Sequence, residues 1–144
     1  MEISKNKSEF QFSKPILKEA IFTVNSKYES TLANVGVQNF QITAKQTNVQ
    51  LADGYRTANV LVTVANRESV GLDDNTPYIL RVSMAANFRL DSNSSEEEFK
   101  SLLKVNAPAL VMSYIRPFVT QLTEQTDLET QYLPFLDFTR TGEK

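Results

Sequence analysis

From Tyr78 to Leu90 the apolar residues fall on every second position. Tyr78, Leu80, Val82, Met84, Ala86, Phe88 and Leu90 share one phase, with Arg81, Ser83, Asn87 and Arg89 between them. A period of two describes a strand with one buried and one wet face. Ala58, Val60, Val62 and Val64 repeat the phase, and residues 67–77 (RESVGLDDNTP) supply Gly, Asp, Asn and Pro for a long turn. The two segments are expected to pair as an antiparallel hairpin. An earlier segment, Pro15 to Tyr28, sets Ile16, Ala20, Phe22, Val24 and Tyr28 on one face and Leu17, Glu19, Ile21, Thr23 and Asn25 on the other, with Pro15 at a strand start. Between these lies a run whose phase begins at Val35 and Val37 and shifts to Phe40, Ile42 and Ala44, which predicts a bulge near Gln38 or Asn39.

After residue 93 the period changes. Ser94, Ser95 and Glu96 to Glu98 put hydroxyl caps and negative charge ahead of Phe99, Leu102 and Leu103, the pattern of a short amphipathic turn or helix. A longer helix is expected to start at Asn106 as cap with Pro108 in its first turn, carrying Leu110, Val111, Tyr114, Ile115, Phe118, Val119 and Leu122 at three- and four-residue steps. Pro117 lies inside it and predicts a kink. Beyond Thr126 an extended apolar stretch, 132–138 (YLPFLDF), leads into a polar tail. The expected class is therefore α+β: a four-stranded antiparallel sheet backed by a long kinked helix from the C-terminal half.

Composition narrows the chemistry. The 144 residues fit one domain, with 1–13 a polar arm and 139–144 a polar tail. The chain has no cysteine and no histidine, which removes disulfides, thiolate chemistry, His bases and the usual zinc ligand sets. Glu96 to Glu98 suit a helix N-terminus better than a metal, and Asp73-Asp74-Asn75 suit a turn better than acid–base work. Catalysis, a metal and a cofactor are not expected. Fifteen basic and 17 acidic residues are interspersed, giving a net charge of −2 and no basic stripe, so nucleic acid is not an expected partner. No segment has the length of apolar sequence a membrane span needs, and the start lacks a signal-peptide pattern, so a cytoplasmic location is expected.

The order of strands, helix and apolar exit segment resembles the SecB family of export chaperones. Residues 106–118 (NAPALVMSYIRPF) are similar to the family's long-helix motif, an Ala-Pro start and a Tyr-x-Arg, here Ala107, Pro108, Tyr114 and Arg116. The hairpin Thr57 to Leu90 resembles the family's third and fourth strands, and Leu133 to Phe138 its Leu-x-Pro-x-x-Phe exit. The resemblance implies assembly as a dimer or a dimer of dimers, grooves for extended apolar segments of non-native polypeptides, no cofactor, and delivery of clients to the motor SecA through acidic residues on the outer sheet face. Glu19 matches one such position. Thr23, Ile79 and Arg81 occupy the rest of that surface, so binding to SecA is doubtful. The chain also stops six residues after Phe138, where family members carry a final helix, which implies a more open groove.

Two readings stay open at each surface. Tyr28, Leu32, Phe40, Tyr132, Leu133, Phe135, Leu136 and Phe138 either line a client groove or cover the core. Leu110, Val111, Tyr114, Ile115, Phe118, Val119 and Leu122 either form an oligomer interface or pack inside the protomer. For function, a general holdase stands beside a dedicated chaperone of one partner, such as an antitoxin, and beside a non-catalytic structural or ligand-binding subunit.

Overall fold

The computed structural model describes residues 10–26, 40–66, 77–134, 136 and 138. Tyr28, Leu32, Phe135, the bulge expected near Gln38 or Asn39 and nearly all of the long hairpin turn lie outside them. Among the described residues, six strands and one helix follow in chain order: β1 (Gln11–Phe12), β2 (Ile16–Val24), β3 (Gln41–Gln46), β4 (Gln50–Ala52), β5 (Tyr55–Ala65), β6 (Tyr78–Asp91) and α1 (Glu96–Glu124). All pairings are antiparallel. β5 and β6 form the central hairpin. β1 and β2 lie end to end along the free side of β6, and β3 and β4 do the same along β5. The sheet is thus four strands wide, with each outer strand broken in two.

Both breaks use the same device. Between β3 and β4, Thr47, Asn48 and Val49 oppose Ala58 and Asn59; between β1 and β2, Ser13, Lys14 and Pro15 oppose Ala86 and Asn87. One extra residue bulges each outer strand, and a hydroxyl stabilises each bulge. The Asn59 amide donates to Thr47 Oγ1 at 2.9 Å, and the Asn87 amide to Ser13 Oγ at 3.0 Å. Asn87 Nδ2 then donates to Asn59 Oδ1 at 3.1 Å, which completes a polar line across the sheet. β4 turns into β5 through Asp53 (φ 52) and Gly54 (φ 82), a two-residue left-handed turn signalled by its Asp-Gly pair.

Two expectations for the first strand are corrected. The polar arm does not reach residue 13, because Phe10 stacks on Phe88 at 5.3 Å and β1 pairs with Arg89 and Phe88. A register shift between Leu17 and Glu19 puts Ile16 opposite Ala85 and Leu17 opposite Met84. Directly opposed residues share a face, so Ile16 joins Glu19, Ile21 and Thr23, while Leu17 joins the Ala20, Phe22 and Val24 side. The strict alternation from Pro15 missed this bulge at Lys18.

The helix is one element of 29 residues, which overturns the separate helix starting at Asn106. Ser95 is the cap: its Oγ accepts from the Glu98 amide at 3.0 Å, and Glu96, Glu97 and Glu98 occupy the positive first turn. Pro108 and Pro117 both lie inside α1, which stays helical through them. Seven residues at successive four-residue steps (Phe99, Leu103, Ala107, Val111, Ile115, Val119 and Thr123) form a ridge with at most 1% exposure. The six apolar members of that ridge share a core with Ala58, Val60, Val62 and Val64 of β5 and Leu80, Val82, Ala86 and Phe88 of β6. Ile115→Ala is expected to cost about 2–5 kcal/mol in urea unfolding, whereas Tyr114→Ala next to it, on the exposed side, is expected to cost under about 1 kcal/mol.

Tyr78 opens β6, 1% exposed, with its ring 5.3 Å from Phe22. Its hydroxyl has no hydrogen-bond partner among the described residues. Burial, and then the charge of Glu129, push its pKa well above the ordinary tyrosine value. The unfolded chain therefore ionises this phenol near pH 10 while the folded one holds it neutral to higher pH. This contribution to stability is complete below about pH 10 and is lost as pH rises past it. In Tyr78→Phe the decline in stability above about pH 10 is expected to be shallower than in the wild type, with stability at pH 7 unchanged or higher by up to about 1 kcal/mol; unfolding curves from pH 7 to 11 read both.

Candidate functional site

The segment after α1 folds back along the helix instead of joining the sheet. Thr120 Oγ1 donates to the Gln131 carbonyl at 3.0 Å, the Gln131 amide donates to Thr123 Oγ1 at 2.9 Å, and Arg116 Nε donates to the Leu133 carbonyl at 2.9 Å. Helix positions 123, 120 and 116 thus meet segment positions 131 and 133, so the two run antiparallel. Side chains alternate along this segment: Gln131 and Leu133 are buried, while Tyr132 stands 74% exposed. Leu136 is 38% exposed and Phe138 is buried again.

Two hollows flank it. One of 460 Å³ is lined by Arg116, Pro117, Thr120, Gln121, Glu124, Tyr132 and Leu133. A smaller one of 40 Å³ lies among Ala109, Met112, Ser113, Arg116, Pro134, Leu136 and Phe138. Of the eight residues expected at a client groove, Tyr132 and Leu136 present surface beside these hollows. Leu133 and Phe138 are members of the hydrophobic core and hold the segment down. Phe40 is half-buried against that core at the start of β3.

The seven helix residues proposed from sequence for an oligomer contact divide in the same way. Val111, Ile115 and Val119 are wholly buried by the protomer's own sheet, which leaves them no surface for a second copy. Leu110, Phe118 and Leu122 are half-buried beside the ridge and Tyr114 is 41% exposed. Only this second row, one residue before the ridge, retains accessible apolar surface.

On the sheet's outer face the register brings Glu19, Thr23, Ile79 and Arg81 together. Thr23 is opposite Ile79, Ile21 is opposite Arg81, and Arg81 Nε lies 2.6 Å from Glu19 Oε1. On the same face Thr63 and Ser83, opposite each other across β5 and β6, share a buried hydroxyl–hydroxyl bond of 2.7 Å. An apolar edge that the sequence reading did not single out lies alongside. Phe12, Ile16, Leu17, Ile21 and Val24 are all exposed on β1 and β2, whose outer side pairs with no described strand. The adjacent Ile16 and Leu17 were its signal, since a strand with apolar residues on both faces is not simply half-buried.

The family model described as SecB, preprotein translocase subunit SecB, matches residues 4–141. No curated protein matches the chain. Among solved structures, the Mycobacterium tuberculosis Rv1957 SecB-like chaperone, in complex with a ChAD peptide from the Rv1956 HigA1 antitoxin, is similar at a TM-score of 0.54 and 15% identity, covering 89% of this chain and 91% of that one. A Streptococcus agalactiae protein of unknown function is similar at 0.51 and 12% identity, covering 88% and 97%. These likenesses establish the fold, and the match across nearly the whole sequence establishes the lineage: the chain belongs to the SecB family.

Proposed function

We propose that this protein is an ATP-independent holdase of the cytoplasm that binds extended apolar segments of non-native polypeptides. The observation that carries the reading is the exit segment. Its buried members Leu133 and Phe138 fasten it, while Tyr132 and Leu136 stand outward beside the helix hollows. Exposed aromatic and aliphatic side chains on a fastened backbone offer pockets to an unfolded chain without reorganising the core. The row Leu110, Tyr114, Phe118 and Leu122 and the open edge of β2 are the surfaces for a second copy in a homodimer or homotetramer.

Delivery to SecA has weaker support. Arg81 neutralises Glu19, so this patch of the sheet presents no net negative charge to a basic partner. Rv1957 is bound to an antitoxin peptide, which favours a second reading in which this chain serves one dedicated partner. Recovery of one stoichiometric small protein from native lysate, together with no SecA binding at low salt, is the outcome expected of that reading; tight SecA binding excludes it.

The holdase reading is tested by light scattering of a chemically denatured model protein diluted into buffer. Wild type in severalfold excess is expected to keep it soluble, and failure to do so overturns the reading. Tyr132→Ser with Leu136→Ser is expected to weaken binding to a reduced, alkylated model protein by about tenfold. Because both side chains face solvent, its unfolding free energy is expected to stay within about 0.5 kcal/mol per substitution.

A further inference from the structure

The exit segment has no strand beside it among the described residues, and its backbone groups find partners on the helix. Arg116, Thr120 and Thr123 provide them from one side of α1. In an extended chain, alternate residues direct their backbone groups to the same side. Anchoring residues 131 and 133 therefore fixes which way Tyr132 faces. Leu133 would stay near the helix through burial alone, being 3% exposed, but burial is not directional and sets neither the register nor the rotation of the segment. The charge-assisted bond from the planar Arg116 guanidinium is directional.

We infer that Arg116 is a positioning residue for client binding: by holding the Leu133 carbonyl it sets the register of the exit segment on the helix and holds Tyr132 over the 460 Å³ hollow. The inference rests on the holdase reading and adds a residue that has no need to touch the client. It also ties together two stretches that the sequence presents separately, since the arginine of Tyr114-Ile115-Arg116 bonds the Leu133 carbonyl of the exit segment. Lysine at this position keeps the charge but loses the fork that defines the angle.

The full chain carrying Arg116→Ala or Arg116→Lys is compared with wild type by amide exchange at Gln131, thermal midpoint, and affinity for a reduced, alkylated model protein. In Arg116→Ala the Gln131 amide is expected to exchange at least about tenfold faster, with the midpoint within about 4 °C of wild type. Probe affinity is expected to fall by about tenfold, and Arg116→Lys to recover part of both losses. The chain contains no tryptophan, so Tyr132→Trp gives a single emitter, and Arg116→Ala in that background is expected to lower its anisotropy. Unchanged Gln131 exchange overturns the inference, as does faster exchange with unchanged probe affinity. A midpoint collapse with exchange raised throughout the sheet shows a purely structural role and overturns it equally. If the wild type itself does not bind the probe, the holdase reading fails, and the inference fails with it; if the wild type binds and Arg116→Ala binds equally well, only the inference fails.

Discussion

The buried face of the β5–β6 hairpin must be covered, and a single ridge of α1 covers it. Apolar burial is worth about 25 cal/mol per Å², and the strand stripe from Tyr78 to Leu90 cannot be left wet in a stable domain. The ridge from Phe99 to Val119 meets that demand over five four-residue steps, which explains why α1 runs without interruption through Asn106, Pro108 and Pro117. Local signals favoured a stop at Asn106 and tertiary burial outweighed them.

Spending one helical ridge on the sheet leaves the flanking rows to other tasks. The row containing Met112, Arg116 and Thr120 receives the exit segment, and the row containing Leu110, Tyr114, Phe118 and Leu122 keeps part of its apolar surface. The exit segment is held by side-chain hydrogen bonds at alternate positions 131 and 133, and again by buried Phe138. Exposed Tyr132 follows from that alternation, as the wet face of a strand follows from its pleat.

Much of this was legible in the sequence. The hairpin register from Ala58 opposite Phe88 to Val64 opposite Val82 follows the period of two that the sequence shows, and Glu19 with Thr23 share the outer face because the register below the bulge is regular. The bulge at Lys18 was not legible, since Ile16-Leu17 and Lys18-Glu19 put like residues on both faces and only the partner strand reveals the shift. The turn before Tyr55 is also written in the sequence, as the Asp53-Gly54 pair. Burial along α1 was the hardest to read: Val111, Ile115 and Val119 are chemically like Leu110, Phe118 and Leu122, and only the position of the sheet separates the two rows. In the exit segment, likewise, Leu133 and Leu136 look alike in sequence, and only their placement against α1 separates buried Leu133 from exposed Leu136.

The central claim is that apolar surface left over after the sheet and helix have packed is what grips a non-native chain. It is tested most directly by mapping amide exchange across the protein with and without a saturating, permanently unfolded polypeptide. Slowed exchange concentrated at residues 131–136 and in the adjoining turns of α1 is the predicted result. Protection confined to the outer face of the sheet, or none anywhere, would contradict the account.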